Sequence, residues 1–406
     1  MNNSLLNYYY YYLINNYFSF VNRYIIILII LLVFLFVFMY IKITNRFWSS
    51  QPVFHTYNLW YRLFPPGIVQ HKIPKKGKYL DSNIECFIFN NSSKNIKQQL
   101  LYFIQSNCNI KKNISKNNNL NLIIKKDYIF EHLKNQKNFS FISLQYNGYN
   151  KKLVGALTSR LLNANLDNKR FFISYMDNLY IHKKYLNSDF KYKQIYTHYV
   201  KSRNIGAPPI FLFKQRKKLK NVVPFIKFNS YLIKTQNITK PNINLPNTII
   251  CYRITSQNFN ILLDYIPIIE DNFNFFLISP LSVIKQLIDK NILFPFVIKN
   301  NTQLIGIIFY KKSNLFYKNK EILECVSSYC SSIYKTFFIN SITNTLYILK
   351  KNIDFSLVKF DAIADNIFLL NNLVKYNKPL EIHSNFYYFY NFIYKSVNND
   401  KIFTLI

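Results

Sequence analysis

The sequence predicts a mixed α/β protein made of two similar halves around a mixed sheet, preceded by an N-terminal hydrophobic helix. Three observations carry this. An uncharged apolar run of 18 residues, Tyr24 to Ile41, stands near the start. Beyond residue 139 short strand-like runs alternate with helical ones, the order expected of packed sheets and helices. And the phrase Lys152-Leu-Val-Gly155-Ala-Leu returns as Gln303-Leu-Ile-Gly306-Ile-Ile at the matching place of the second half.

The elements follow in order. Tyr24–Ile41 is long and apolar enough for a spanning helix. It is too long for a cleaved signal, and no small-residue cleavage site follows it. Arg23 precedes it and Lys42, Arg46 and Arg62 follow, which sets the bulk of the chain on the cytoplasmic side. A start at Met39, leaving residues 1–38 untranslated, is the competing reading. Residues 93–139 are rich in Lys and Asn, and Lys111–Lys116 reads as a solvated loop. Strand signals lie at Phe139–Leu144, Leu153–Thr158, Phe171–Ser174 and Leu179–His182. A helix over about 189–204 closes the first half.

The link is expected near 236–248, giving halves of 45–235 and 236–406 behind a segment 1–44. In the second half Ser279-Pro280 reads as an N-cap and first-turn pair. The helix behind it turns Leu281, Ile284, Leu287 and Ile288 to one face. Strands at Phe294–Ile298 and Leu304–Phe309 precede a helix over about 332–351, with Ile339, Ile342, Leu346 and Leu349 inward. Val358–Asp361 is one more strand.

Composition excludes several classes. Half the residues are hydrophobic and 18% aromatic, which rules out a disordered chain. The net charge of +34 points to anionic partners such as phosphates or acidic lipid. The lysines are scattered, however, and Asn, Lys, Ile, Tyr and Phe are inflated together while glycines number only six, as AT-rich coding produces. Nucleic acid is therefore not the expected partner, and a monomer is expected. Cys86, Cys108, Cys251, Cys325 and Cys330 form no CxxC and no Cys/His pair at zinc spacing, so no metal is implied and a reducing compartment fits. His182 reads as a strand-end residue satisfying a backbone group. Asp361, Asp365 and Glu381 read as solvated or capping carboxylates.

The two ends of the folded part are the most informative. Asn45-Arg-Phe-Trp-Ser-Ser-Gln-Pro-Val53 joins a Phe-Trp pair to a Gln-Pro turn, and the chain closes on Ile402-Phe-Thr-Leu-Ile406. An apolar tail belongs in a core, and it would take its α-carboxylate inside with it, where a carboxylate is a candidate base.

The first of these phrases resembles the Lys-Phe-Trp-x-Thr-Gln-Pro-Val signature of glycylpeptide N-tetradecanoyltransferases (N-myristoyltransferases). Leu179-Tyr-Ile-His182-Lys-Lys resembles that family's Leu-Cys-Val-His-Lys-Lys strand. Tyr387-Tyr-Phe-Tyr-Asn-Phe392 resembles its Tyr-Tyr-Leu-Tyr-Asn-Trp strand, and Leu405-Ile406 stands where the family ends in Leu-Leu. The matches keep the family's order from residue 45 to 406. The resemblance implies two tandem acetyltransferase-like halves of the GNAT type. It also implies transfer of a myristoyl group from myristoyl-CoA to an N-terminal glycine amine.

In that scheme the Ile406 carboxylate is the base, and the backbone amides of Asn178 and Leu179 receive the thioester oxyanion. Arg46, Phe47 and Trp48 meet the CoA end, while Leu179, Tyr180 and Ile181 line the pantetheine–acyl junction. Asn187, Asp189, Lys191 and Tyr192 occupy the loop that grips the CoA phosphates. Four departures stand out. Asp189 replaces an arginine of that loop, Leu212-Phe-Lys214 replaces a Thr-Ala-Gly, Asn377-Lys-Pro-Leu-Glu-Ile-His383-Ser replaces a glycine-rich Gly-x-Gly-Asp-Gly loop, and the Lys111–Lys116 tract replaces an acidic loop. Two other readings remain open: a relative that keeps the fold without turnover, and a basic membrane-anchored binder of RNA or acidic lipid.

Overall fold

In a computed structural model of the chain, residues 2–108, 120–122, 125–136, 139–186, 188–235, 245–318 and 320–406 are described. The Lys111–Lys116 tract, Asn187 and most of the expected link (236–244) lie outside them. Helix α1 (Asn2–Thr44) leads through a 3₁₀ turn at Trp48–Ser50 to the short α2 (Trp60–Leu63). Strands β1 (Gly67–Ile68) and β2 (Ile84–Ile88), α3 (Lys94–Cys108), β3 (Leu120–Leu122) and α4 (Lys126–Leu133) follow. Then come β4 (Phe141–Tyr146), β5 (Leu153–Leu166), β6 (Lys169–Ile181), α5 (Phe190–Asn204), β7 (Phe211–Gln215) and β8 (Ile226–Lys234).

The remainder is β9 (Ile249–Arg253), α6 (Phe259–Asp271), β10 (Phe275–Ile278), α7 (Leu281–Asp289), β11 (Leu293–Asn300), β12 (Gln303–Tyr317) and β13 (Lys320–Cys330). After these run α8 (Lys335–Asn352), β14 (Phe355–Asp361), α9 (Asn366–Tyr376), β15 (Glu381–Tyr390), β16 (Phe392–Ile393) and β17 (Ile402–Leu405).

One mixed sheet holds most strands, in the order β17-β10-β5-β6-β7-β15-β8-β14-β13-β12-β11-β9, with β4 and β2 branching from β5. The branch exists because β5 is long: Leu153–Ser159 pairs with β4, and Asn163–Leu166 pairs with β10. The fold is thus the mixed α/β architecture expected, behind an apolar helix.

The echo of glycines has a structural counterpart. Gly155 in β5 faces Ile181, the last residue of β6; Gly306 in β12 faces Cys330, the last residue of β13. A 3₁₀ turn, a helix and a parallel strand follow each hairpin: α5 and β7 in one case, α8 and β14 in the other. Both glycines are needed for close approach. A Cβ on Gly306 would lie 2.4 Å from the Tyr329 carbonyl oxygen, and one on Gly155 would lie 2.7 Å from Gln145 Oε1.

Several sequence expectations shift. The signals at 171–174 and 179–182 belong to one strand, β6, because the polar Asp177–Asn178 step is absorbed as a bulge. Pairing runs Ala156 to Tyr180 and then Thr158 to Asp177, with Asn178 at φ 53°. The Ser279 hydroxyl does not cap α7. It accepts from Arg160 Nη1 at 3.1 Å, and Pro280 stands at the cap position instead. Helix α8 begins at Lys335, after a 3₁₀ turn at Ser332–Tyr334. Helices α3 and α4 arise within the Lys/Asn-rich stretch, because Leu100, Phe103 and Ile104, then Ile129 and Leu133, recur at helical spacing and bury one stripe.

Candidate functional site

The C-terminal segment is a buried strand at one end of the sheet. β17 runs parallel to β10 with Ile402 opposite Phe275, and the Ser279 N–H donates to the Leu405 carbonyl at 3.1 Å. Phe403 stacks on Phe276 with ring centroids 5.4 Å apart, and Ile406 is only 8% exposed. Apolar side chains at Ile402, Phe403 and Leu405 make this burial favourable, at roughly 1.5–3 kcal/mol per large side chain.

The tail ends among charges. Lys311 in β12 is buried, and its Nζ donates to the main-chain oxygen of Ile406 at 2.6 Å. Lys311 stands opposite Glu324 of β13, which stands opposite Lys359 of β14. One row across three strands therefore reads plus, minus, plus, the arrangement that favours cross-strand neighbours. Lys359 pairs with Glu324 and lies 3.4 Å from Asp361. Lys214 of β7 reaches Asp361 at 3.2 Å, and the Ser230 hydroxyl donates to the same carboxylate. Arg160 of β5 sits over the Tyr175 ring at 5.3 Å. The Asp177 carboxylate accepts the Asn178 N–H at 2.9 Å.

Burial decides the electrostatics here. It pushes the Lys311 ammonium down, with Glu324 opposing and Arg160 adding to the shift. Burial would push the Glu324 carboxyl up, but Lys359, Lys311 and Lys214 outweigh it and hold that group well below the carboxylate range. Tyr128, Tyr175 and Tyr387 are driven upward by burial and stay neutral. His132 of α4 is likewise neutral: burial, then Arg160 and Lys311, hold its pKa well down, and neither ring nitrogen has a hydrogen-bond partner among the described residues. The cluster thus sets four cations (Arg160, Lys214, Lys311, Lys359) against Glu324, Asp177 and Asp361, with the Ile406 main-chain oxygen accepting from Lys311. Such an interior, with one more cation than carboxylate among these groups, suits a further anionic or strongly dipolar group.

A second locus lies at the other side of β6. Phe47 stacks on Tyr192 at 4.5 Å and meets Trp48 and Tyr79 edge-on at 4.9 Å. Trp48 stacks on Phe213 at 5.5 Å, and Leu179 packs against this cluster. Tyr180 points to the opposite cluster, with Phe89 and Leu144, as strand alternation requires, and Ile181 is buried at the end of β6. Arg46 and Asp189 are both exposed and both act on the Tyr79 hydroxyl, in opposite directions. Asp189 precedes α5 without capping it, and the Lys191 ammonium is lowered by partial burial. Lys193 is engaged by Asp81 at 3.5 Å. His182 Nδ1 accepts the Lys184 N–H at 3.3 Å.

The structure therefore gathers Phe47, Trp48, Leu179 and Tyr192 into one wall, with Arg46 and Asp189 at its rim. Ile406 lies in a separate interior cluster, whose Lys311 feels the charge of Asp177, next to Asn178. Sequence reasoning missed Arg160, Lys311, Glu324, Lys359 and His132. Asp361, read as solvated, is buried at the end of β14, where Lys214 and Lys359 balance its charge and the Ser230 hydroxyl donates to it. Asp365 does precede a helix, but its carboxylate accepts the Cys330 N–H at 2.7 Å. The available signal was a charge set inside an apolar strand, as in Phe309-Tyr-Lys311 and Ile322-Leu-Glu324-Cys.

No family model matches the sequence, and no curated protein does. Solved structures do resemble it. Saccharomyces cerevisiae N-myristoyltransferase with bound myristoyl-CoA superposes with a TM-score of 0.67 at 13% identity, covering 87% of this chain and 94% of that one. A further structure of the yeast enzyme with bound myristoyl-CoA gives 0.68 at 14% identity, covering 88% and 90%. A third, with myristoyl-CoA and inhibitors, gives 0.63 at 13%. The class these define is a mixed α/β fold of the N-myristoyltransferase type, and this chain has that fold over nearly its whole length.

Proposed function

We propose that this chain is an acyltransferase that moves a myristoyl group from myristoyl-CoA to the N-terminal glycine amine of client proteins. The observation that carries the reading is the burial of Ile406 beside Lys311 in an interior cluster of charged side chains. In this reading the Ile406 α-carboxylate is the base, at a buried position where an incoming amine would meet it.

The chemistry needs little else. An α-ammonium of pKa about 8 gives its proton to the carboxylate. The freed nitrogen bonds to the thioester carbonyl carbon, the C–S bond breaks, and the CoA sulfur leaves with the second proton of that nitrogen, while the first passes from the carboxylate to water. Negative charge gathers on the carbonyl oxygen during attack, and aimed N–H donors lower that barrier. The β6 bulge is suited to supply them from Asn178 and Leu179. The Asn178 N–H is engaged by Asp177, so Leu179 is the first donor and Asn178 joins once Asp177 releases it.

On the co-substrate side, Arg46, Lys183 and Lys184 offer exposed cations to phosphates, against the exposed Asp189. Lys191 and Tyr192 would complete that loop with Asn187, and Phe47, Trp48, Leu179, Tyr180 and Ile181 would flank the pantetheine and acyl chain. The half 45–235 would hold acyl-CoA and the half 236–406 the peptide. Helix α1, whose Tyr24–Thr44 part is long and apolar enough to cross a membrane and has no buried residue, would tether the catalytic part on the cytosolic side.

One observation favours a second reading, a relative that keeps the fold without turnover: Lys311 already sits where an amine would meet the carboxylate. The assay is transfer from myristoyl-CoA to a glycine-terminated peptide, beside thermal stabilisation by a non-hydrolysable myristoyl-CoA. Turnover that is lost when one residue is added after Ile406 supports the first reading. Stabilisation without turnover supports the second. Absence of both removes acyl-CoA from the account.

A further inference from the structure

We propose that the segment after α1 is a second membrane contact, an interfacial anchor that lays the face beside the Arg46–Trp48 turn against an acidic lipid surface. Leu59, Trp60, Leu63 and Phe64 are 59–72% exposed, although the residues before them are tied to the body. The Thr56 N–H donates to the Asn221 carbonyl at 3.1 Å, and His55 bridges to Val222. Trp60 and Phe64 meet with their ring centroids 4.7 Å apart and the planes tilted by 42°, so the exposed patch is held in place by its own side chains. A contiguous apolar patch held in this way marks an interaction site.

Position and charge name the occupant. Phe38 of α1 meets Tyr57 edge-on at 5.7 Å, which sets the patch beside the foot of the exposed apolar helix. A bilayer that receives the helix must meet this patch at its surface. Trp and Phe beside Arg62 are the residues that settle at headgroup depth. The loop that holds Thr56 carries exposed Arg216, Lys217, Lys218 and Lys220. No acidic residue occurs before Asp81. Anionic headgroups complement such a face and a neutral protein surface does not. The inference rests on the membrane reading of α1, not on acyl transfer.

The chain has two tryptophans, and they report separately: Trp48 is buried against Phe213, and Trp60 is exposed. The full chain is reconstituted in phosphatidylcholine–phosphatidylserine vesicles in which the phosphatidylcholine is brominated near the headgroup end of its chains. Expected are quenching of the emission by bromolipid, loss of most of it in Trp60→Phe, and little quenching of Trp60 by aqueous iodide. A chain that floats with vesicles while Trp60 is reached by iodide and not by bromolipid overturns the second contact and leaves the span intact. Shielding from iodide without bromolipid quenching assigns the patch to another protein copy and also overturns it. A chain that does not float at all removes the span and this contact together.

Discussion

Replacing Lys311 by Met removes one charge and almost no volume, and its consequences can be worked out from the site. Lys311 Nζ lies 2.6 Å from the Ile406 oxygen and faces Glu324 across the ladder. Glu324 keeps Lys359 in the variant, so the group left alone is the carboxylate proposed at Ile406. At that separation and an effective dielectric near 20, the gross attraction is about 6 kcal/mol. Removing one partner of a buried pair typically costs about 3–5 kcal/mol, because the other charge stays desolvated. Lys311→Met should therefore lose about 3 kcal/mol at neutral pH, a large share of the 5–15 kcal/mol of an ordinary domain.

Chemical denaturation measures the loss, and a cycle with the chain ended in a C-terminal amide isolates the pair. Amidation should restore most of the stability that Lys311→Met removes, with a coupling of about 2 kcal/mol or more. If Lys311→Met costs under about 1 kcal/mol, or the two changes simply add, the tail does not end on a buried charge pair, and the candidate site loses its base.

Further outcomes are expected. Gly306→Ala should destabilise by about 1–3 kcal/mol, read as a lower denaturation midpoint, since its Cβ would meet the Tyr329 carbonyl, which cannot swing away. Asp189→Arg should tighten CoA binding, by about fivefold for an exposed charge, in a calorimetric titration; unchanged affinity would place the phosphates elsewhere. His198 is buried between Ser143 and Ser159, each 2.8 Å away, and burial lowers its pKa to about 3. The unfolded chain then binds the extra proton first. Stability held above pH 6.5 should thus fall as pH drops toward 3, by about 4–5 kcal/mol, a slope that His198→Gln removes.

Much of the fold was legible because its signals are local. The Gly155 and Gly306 phrases mark equivalent hairpins, since both glycines serve close approach to a neighbouring chain segment. The helix over 189–204 and the apolar helix before residue 45 follow from patterns that need no distant partner. Where the reading slipped, a tertiary partner had intervened: Ser279 turned to Arg160 instead of capping α7, and Asp177–Asn178 became a bulge inside β6. The Phe47–Trp48 phrase announced an anchor, and its ring partners Tyr192 and Phe213 came only with the fold.

What the sequence alone determined is the order of elements, the duplicated hairpin-and-helix plan, the apolar leader and the apolar tail, because propensity, period and burial drive act within short windows. What the tertiary structure decided is the meeting of Lys311, Glu324, Lys359, Arg160 and Ile406, drawn from β12, β13, β14, β5 and the end of the chain. Strand register sets that meeting, and register is a long-range property. A charge tolerated inside an apolar strand declares its partner only when the opposing strand is in place.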